Sequence, residues 1–152
     1  MADQPQKTRE MTAEDTPALA SLWVESWSKA MPDLDFEARR AWLGEHLAML
    51  KAEGASIRVW PAEGEPLGFA TIHPMTGYID QLAVAVAAWG TDVASGLILE
   101  AERLSPERLE LLVNKDNPRA VRFYEKNGFV KVGETFSERT GLPLWKMVRE
   151  PA

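Results

Sequence analysis

Apolar positions recur at helical spacing early in the chain. Thr12 precedes Glu14 and Asp15, a cap and an acidic first turn that open a helix. Leu19, Leu22, Trp23 and Trp27 then fall on neighbouring positions of one face. Met31-Pro-Asp-Leu-Asp35 breaks that helix. A second, from about Phe36 to Lys51, carries Trp42, Leu43, Leu47 and Leu50 and ends at Gly54. Strand patterns follow. Ser56–Trp60 and Leu67–His73, joined by a Pro- and Gly-containing turn, predict an antiparallel hairpin. Thr76 and Gly77 turn the chain into Tyr78–Val86, which is apolar on both faces and predicts one central strand. A short loop leads to a helix from about Asp92 to Leu104, whose stripe is Val93, Leu97, Glu100, Ala101 and Leu104, widened by Ala94 and Ile98. A strand from Arg108 to Val113, a helix after Asn117 closed by Gly128, and strands within 129–138 and 142–150 complete the chain. Residues 1–8 read as a polar start, and Lys7–Met11 lacks the alternation of a clear strand. The order predicts an α/β domain with a mixed sheet and helices on both faces.

Composition narrows the function. A chain of 152 residues predicts one domain, residues 1–152, that buries about two-thirds of its unfolded surface. A formal charge of -6 disfavours nucleic acid as a partner and suits an amine. Without cysteine there is no disulfide or thiolate chemistry, and the two histidines, His46 and His73, lie too far apart for a His-rich metal motif, so no metal site is expected. No apolar run approaches the roughly 20 residues of a membrane span, and the polar start is no signal peptide; a cytoplasmic protein off the membrane is expected. Six tryptophans leave room for an exposed aromatic patch, and hence a homodimer.

The stretch from Val84 to Glu102 runs strand, loop, helix, a layout in which free N–H groups at the helix start suit a phosphate. Downstream stands Asn117-x-x-Ala120-x-x-Phe123-Tyr124-x-x-x-Gly128-Phe129 after a short strand. Together these segments resemble the GNAT superfamily of acyl-coenzyme A-dependent N-acyltransferases, and the resemblance extends over most of the chain. It implies a GNAT-like mixed, mostly antiparallel sheet of six or seven strands. It also implies acetyl transfer from acetyl-CoA to a primary amine of a small molecule or peptide by direct attack. A GNAT-like domain that senses a ligand without catalysis is the alternative.

The resemblance also assigns residues. The backbone of Leu82, Ala83 and Val84 would hold the pantetheine arm as an added strand would be held. The pyrophosphate would meet the N–H groups of Gly90, Thr91, Asp92, Val93, Ala94 and Ser95. Against the family pattern Gln/Arg-x-x-Gly-x-Gly/Ala, the loop reads Trp89-x-x-Asp92-x-Ala94. Asp92 brings a negative charge to a phosphate position and could itself cap the helix, so the loop is read as degenerate. Tyr124 matches the family's acid for the leaving thiolate, or simply packs its helix; Asn117 matches a residue near the cofactor arm, or caps the helix that Pro118 begins. Asp80, on the central strand, is the candidate base or a surface aspartate, and His73 is the second candidate, near the acceptor, or a strand-end residue. Trp27, one turn from Trp23, lines the acceptor pocket or the core. Arg119 and Arg122, with Lys115 and Lys126 nearby, would meet the 3′-phosphate or form a solvated helix face.

Overall fold

The structure, a computed structural model, describes residues 7–151. Its elements are β1 (Arg9–Glu10), α1 (Thr16–Ala30), α2 (Arg40–Ala52), β2 (Ser56–Trp60), β3 (Gly68–Ile72), β4 (Tyr78–Ile79) and β5 (Leu82–Val84). There follow α3 (Val93–Leu104), β6 (Leu109–Asn114), α4 (Pro118–Lys126), β7 (Val130–Phe136) and β8 (Pro143–Arg149). Single 3₁₀ turns at Ala13–Asp15, Glu37–Arg39 and Val86–Ala88 lead into α1, α2 and the loop before α3.

The strands form two four-stranded sheets, ordered β1-β2-β3-β5 and β4-β6-β8-β7. Every pairing is antiparallel except β4 with β6. The mixed, mostly antiparallel α/β architecture is the expected one, with eight strands among the described residues where six or seven were expected. One addition is β1, whose Arg9 and Glu10 pair with Val59 and Arg58 although their side chains carry no apolar alternation. The other comes from the predicted central strand over 78–86, which is two strands, not one. Thr71 is the cause. Its Oγ accepts the N–H of Asp80 at 3.2 Å and of Gln81 at 2.9 Å, so at these residues a side chain on β3 takes N–H groups that would otherwise continue a ladder. On one side of the break β5 follows β3; on the other β4 follows β6. Gly77 helps β4 dock: at φ +78°, it brings its backbone against Arg108, whose carbonyl any Cβ would strike, and its own carbonyl accepts the Glu110 N–H at 2.9 Å.

Side chains alternate across the first sheet. Ile57, Val59, Phe69 and Ala83 join Leu19, Leu22 and Trp23 of α1 and Leu43, Leu47 and Leu50 of α2 in one core. Ala70 and Val84, on the opposite face, pack on Val93 and Leu97 of α3. Helices thus cover both faces. On the second sheet, Val121 and Tyr124 of α4 join Leu111, Val113, Phe129 and Met147. Burial of each large apolar side chain contributes roughly 1.5–3 kcal/mol. None of the six tryptophans is exposed, and the exposed large apolar side chains include Val130, Val132 and Phe136 of β7. Among the described residues no helix is long and apolar enough to cross a membrane.

Asp15 ties β1 to the start of α1. Arg9 grips its carboxylate with two bonds of 2.7 Å, and the Thr12 N–H donates to it at 2.8 Å. The Arg9 bonds, against the opposing effect of burial, bring its pKa down from 3.8 to about 2. An unfolded chain therefore takes up this proton first, and the stabilisation is complete above pH ~4 and lost as pH falls toward ~2. Asp15→Asn should cost on the order of 2 kcal/mol at neutral pH, with the gap to the parent closing through that acid window. Urea unfolding at stepped pH measures both.

Candidate active site

The parting of the sheets opens a cleft between β5 and β6. Register decides which backbone groups face it. The Thr71 N–H donates to the Gln81 carbonyl at 2.9 Å and the Ala85 N–H to the Leu67 carbonyl at 2.8 Å. Residues 81, 83 and 85 thus turn their polar backbone toward β3, and Leu82 and Val84 turn theirs outward. Around this edge lies a cavity of about 1110 Å³, lined by α1, α2, both halves of the broken strand, β6, α4 and the β7–β8 turn.

Beyond β5 the chain turns through Val86–Ala88 to Trp89 and Gly90. The Trp89 indole N–H donates to the Val84 carbonyl at 2.9 Å, and the Arg119 guanidinium sits 4.0 Å from the indole ring centre. One polar group of the outward edge is therefore engaged, while the backbone of Leu82 and the N–H of Val84 face the cleft. Asp92 stands at the start of α3, but its carboxylate makes no capping bond. It lies instead on a separate hollow with Lys7, Arg58 and Trp60. The helical bonds begin with the Gly96 N–H, which donates to the Asp92 carbonyl at 2.9 Å, so the N–H groups of Ala94 and Ser95 precede the ladder. The Val93 N–H makes only a long contact of 3.4 Å to the Thr91 hydroxyl. An outward strand edge, N–H groups at a helix start, and Arg119, Arg122 and Lys126 along the same cavity fit the amides and phosphates of coenzyme A.

Tyr124 is buried on α4 and lines the cavity. Its ring meets Phe123 and Phe129 edge-on, with centres 5.2 and 5.5 Å apart. Burial raises its pKa above that of a free phenol, so the hydroxyl keeps its proton at neutral pH. The break in the strand carries the other ionisable cluster. Asp80 Oδ1 lies 2.6 Å from His46 Nε2 and accepts the Gln81 side-chain amide at 3.0 Å. A carboxylate can only accept, so His46 Nε2 carries the hydrogen. Trp23 Nε1, which can only donate, fixes the Gln81 amide by bonding its oxygen at 3.0 Å. His46 stacks on Trp42, with ring centres 4.4 Å apart and planes 17° from parallel. Nearby, burial first and then the charges of Asp80 and Glu110 push the Tyr78 phenol up to about 12.

Of the residues singled out in the sequence, the cavity gathers Trp27, Asp80, Leu82, Ala83, Val84, Gly90, Thr91, Ala94, Asn117 and Tyr124. Asn117 also caps α4, its side chain accepting the Ala120 N–H at 3.2 Å. Asp92, Val93 and Ser95 do not line it with their side chains, and Val93 is a core residue. His73 is outside the cavity as well. Its backbone closes the turn between β3 and β4, bonding Tyr78, Thr76 and Gly77. His46 was weighed in the sequence only as a metal ligand, yet it is the histidine that meets Asp80. Its place four residues after Trp42 on an amphipathic helix was the available signal, and it does not reveal the partner.

Comparison with known proteins agrees with this geometry. Residues 16–129 match the acetyltransferase (GNAT) family. The chain is 30% identical over 142 residues to the peptidyl-lysine N-acetyltransferase YiaC of Escherichia coli strain K12, covering 91% of this chain and 93% of that protein. It is similar to the solution structure of apo YjaB from Escherichia coli, with a TM-score of 0.77, 26% identity and coverage of 95% and 97% of the two chains. It also shares its fold with a PaiA N-acetyltransferase from Thermoplasma acidophilum in complex with coenzyme A, at TM-score 0.74, 18% identity and coverage of 94% and 97%.

The Trp23–Gln81–Asp80–His46 chain should behave as a unit. Trp23→Phe removes the indole N–H and shrinks a buried ring, so it should cost more than the about 1 kcal/mol of the hydrogen bond alone. The same substitution in a Gln81→Leu background should cost clearly less, which a double-mutant cycle by urea unfolding reads directly.

Proposed function

The chain belongs to the acetyltransferase (GNAT) family and is an N-acetyltransferase that uses acetyl-CoA, and we propose that it works as one domain with Asp80, Tyr124 and the outward edge of β5 as its working parts. The observation that carries this reading is the Asp80–His46 pair at 2.6 Å, on the same cavity as Tyr124 and the strand edge. The acceptor is a primary amine; the lysine of a peptide is one such amine, as the name of the Escherichia coli relative suggests. A cytoplasmic location is compatible with this reading.

An amine arrives as an ammonium ion and must lose a proton before it can attack. Asp80 takes that proton, and the His46 hydrogen bond stabilises and orients its carboxylate. The amine nitrogen then bonds to the thioester carbonyl carbon as the carbon–sulfur bond breaks. Tyr124 gives its proton to the departing thiolate. Burial raises its pKa, so the phenol holds its proton more firmly than a free one, and its place on the cavity, not its acidity, supports the role. The backbone of Leu82 and Val84 holds the amide-bearing arm, with Asn117 at the edge of the same cleft. The pyrophosphate meets the N–H groups between Gly90 and Ser95 that the loop leaves free, those of Ala94 and Ser95 among them, since the Thr91 N–H already donates to the Ala88 carbonyl. In this loop Trp89 and Asp92 stand where the family pattern has Gln/Arg and glycine, so it is a degenerate version of the phosphate cradle.

Tyr124→Phe and Asp80→Asn should each lower kcat by roughly 10²-fold or more, with acetyl-CoA affinity kept. Thiol release with a panel of amines, paired with calorimetry, checks this, and an unchanged rate removes the residue from its role. Asp92→Asn should tighten acetyl-CoA by up to about fivefold, because a like charge near phosphate costs on the order of 1 kcal/mol. Equal affinity in that variant would show that the carboxylate lies too far from the phosphates to matter.

A further inference from the structure

The acceptor end of the cavity carries two arginines that the reaction itself does not use. Arg39, in the turn before α2, lies 5.5 Å from the Phe36 ring centre, and Arg139, in the β7–β8 turn, lies 3.7 Å from that of Trp42. Both line the cavity that holds Asp80 and His46. Arg9, Arg40, Arg58, Arg103, Arg108 and Arg149 each have a carboxylate within ion-pair distance. Among the described residues neither Arg39 nor Arg139 has one, and neither makes a side-chain hydrogen bond. Burial lowers the Arg139 pKa, Asp80 opposes that shift and Arg39 adds to it, so the two guanidinium groups and Asp80 are near enough to feel one another while both arginines stay charged. An aromatic ring stands beside each guanidinium group, and among the described residues the N–H groups of both have no protein acceptor, so they are free to bond a ligand. In a chain of net charge -6, this pair brings two positive charges to a cavity that also carries Asp80 and Glu138.

We propose that Arg39 and Arg139 bind a carboxylate of the acceptor, so that the preferred substrate is an amine carrying an anionic group nearby. Asp80 attracts the ammonium while the two guanidinium groups take the carboxylate, and the acceptor lies between them with its amine toward the cofactor cleft. This relieves the repulsion between the arginines and supplies the charge-assisted bonds that their N–H edges lack. The carboxylate can be the α-carboxylate of a free amino acid or an acidic side chain beside a lysine in a peptide; the recognising chemistry is the same. The inference rests on the proposed working of Asp80 and Tyr124 and adds the acceptor class to it.

The test measures thiol release with matched acceptors. One arm compares lysine peptides flanked by Glu with the same peptides flanked by Gln, and the other compares free amino acids with their amides. In at least one arm the carboxylate should raise kcat/KM by about tenfold or more at low salt, and the arm that responds identifies its source. Added salt should shrink the preference, since these groups are near the surface. Arg39→Gln with Arg139→Gln should bring the ratio close to one, and Arg139→Glu should reverse it toward amines flanked by lysine. Equal turnover of carboxylate and neutral acceptors by the parent enzyme overturns the inference and leaves the reading of Asp80 and Tyr124 standing. Failure of every acceptor to release thiol overturns both.

Discussion

A single buried hydroxyl shapes the working half of this molecule. Thr71 is fully buried, and its Oγ accepts two consecutive N–H groups, those of Asp80 and Gln81. Those groups would otherwise continue a ladder. Diverted to a side chain, they end one strand and begin another, and the two halves pair in different sheets. The cleft, its outward backbone edge and the position of Asp80 all follow from this break. Burying an unsatisfied amide would cost on the order of 1–3 kcal/mol, so the hydroxyl also makes the break tolerable.

The same break brings polar side chains out of the strand where helices can meet them. Gln81 reaches Trp23 on α1, and Asp80 reaches His46 on α2. Trp42 supports the His46 ring on one side of this chain and the Arg139 guanidinium beside it. Donors and acceptors match along the row, which fixes the orientation of each group before any substrate enters. Preorganised polar groups of this kind need no rearrangement when a ligand enters.

The other end of the cleft uses a different arrangement. A glycine-poor loop still leaves N–H groups at the start of α3, because Asp92 makes no capping bond to them. Trp89 takes the place of a flexible polar residue and is itself held, by the Val84 carbonyl below and Arg119 above. A guanidinium group and the N–H groups at the start of α3 thus both stand by this loop.

Periodicity determined the elements. The apolar stripes of α1, α2 and α3 and the alternation in β2 and β3 each bury one face, and that requirement is written locally in the residues. Asn117, Pro118 and Gly128 marked both ends of α4, because caps are local as well. Tyr124 and the strand–loop–helix that it faces were also legible, through a spaced pattern read with its neighbours. Tertiary structure alone decided the rest. Apolar residues on both sides of Asp80 and Gln81 disguised the break, since its cause is a threonine nine residues upstream. His46 and Asp80 are 34 residues apart, and Arg39 and Arg139 are 100 apart, so no window of sequence contains either pair. That Asp92 leaves its helix uncapped was likewise not legible from its position at a helix start. A local pattern can specify which face of an element is buried; which polar groups then meet across the fold depends on how the sheets part and the helices close over them.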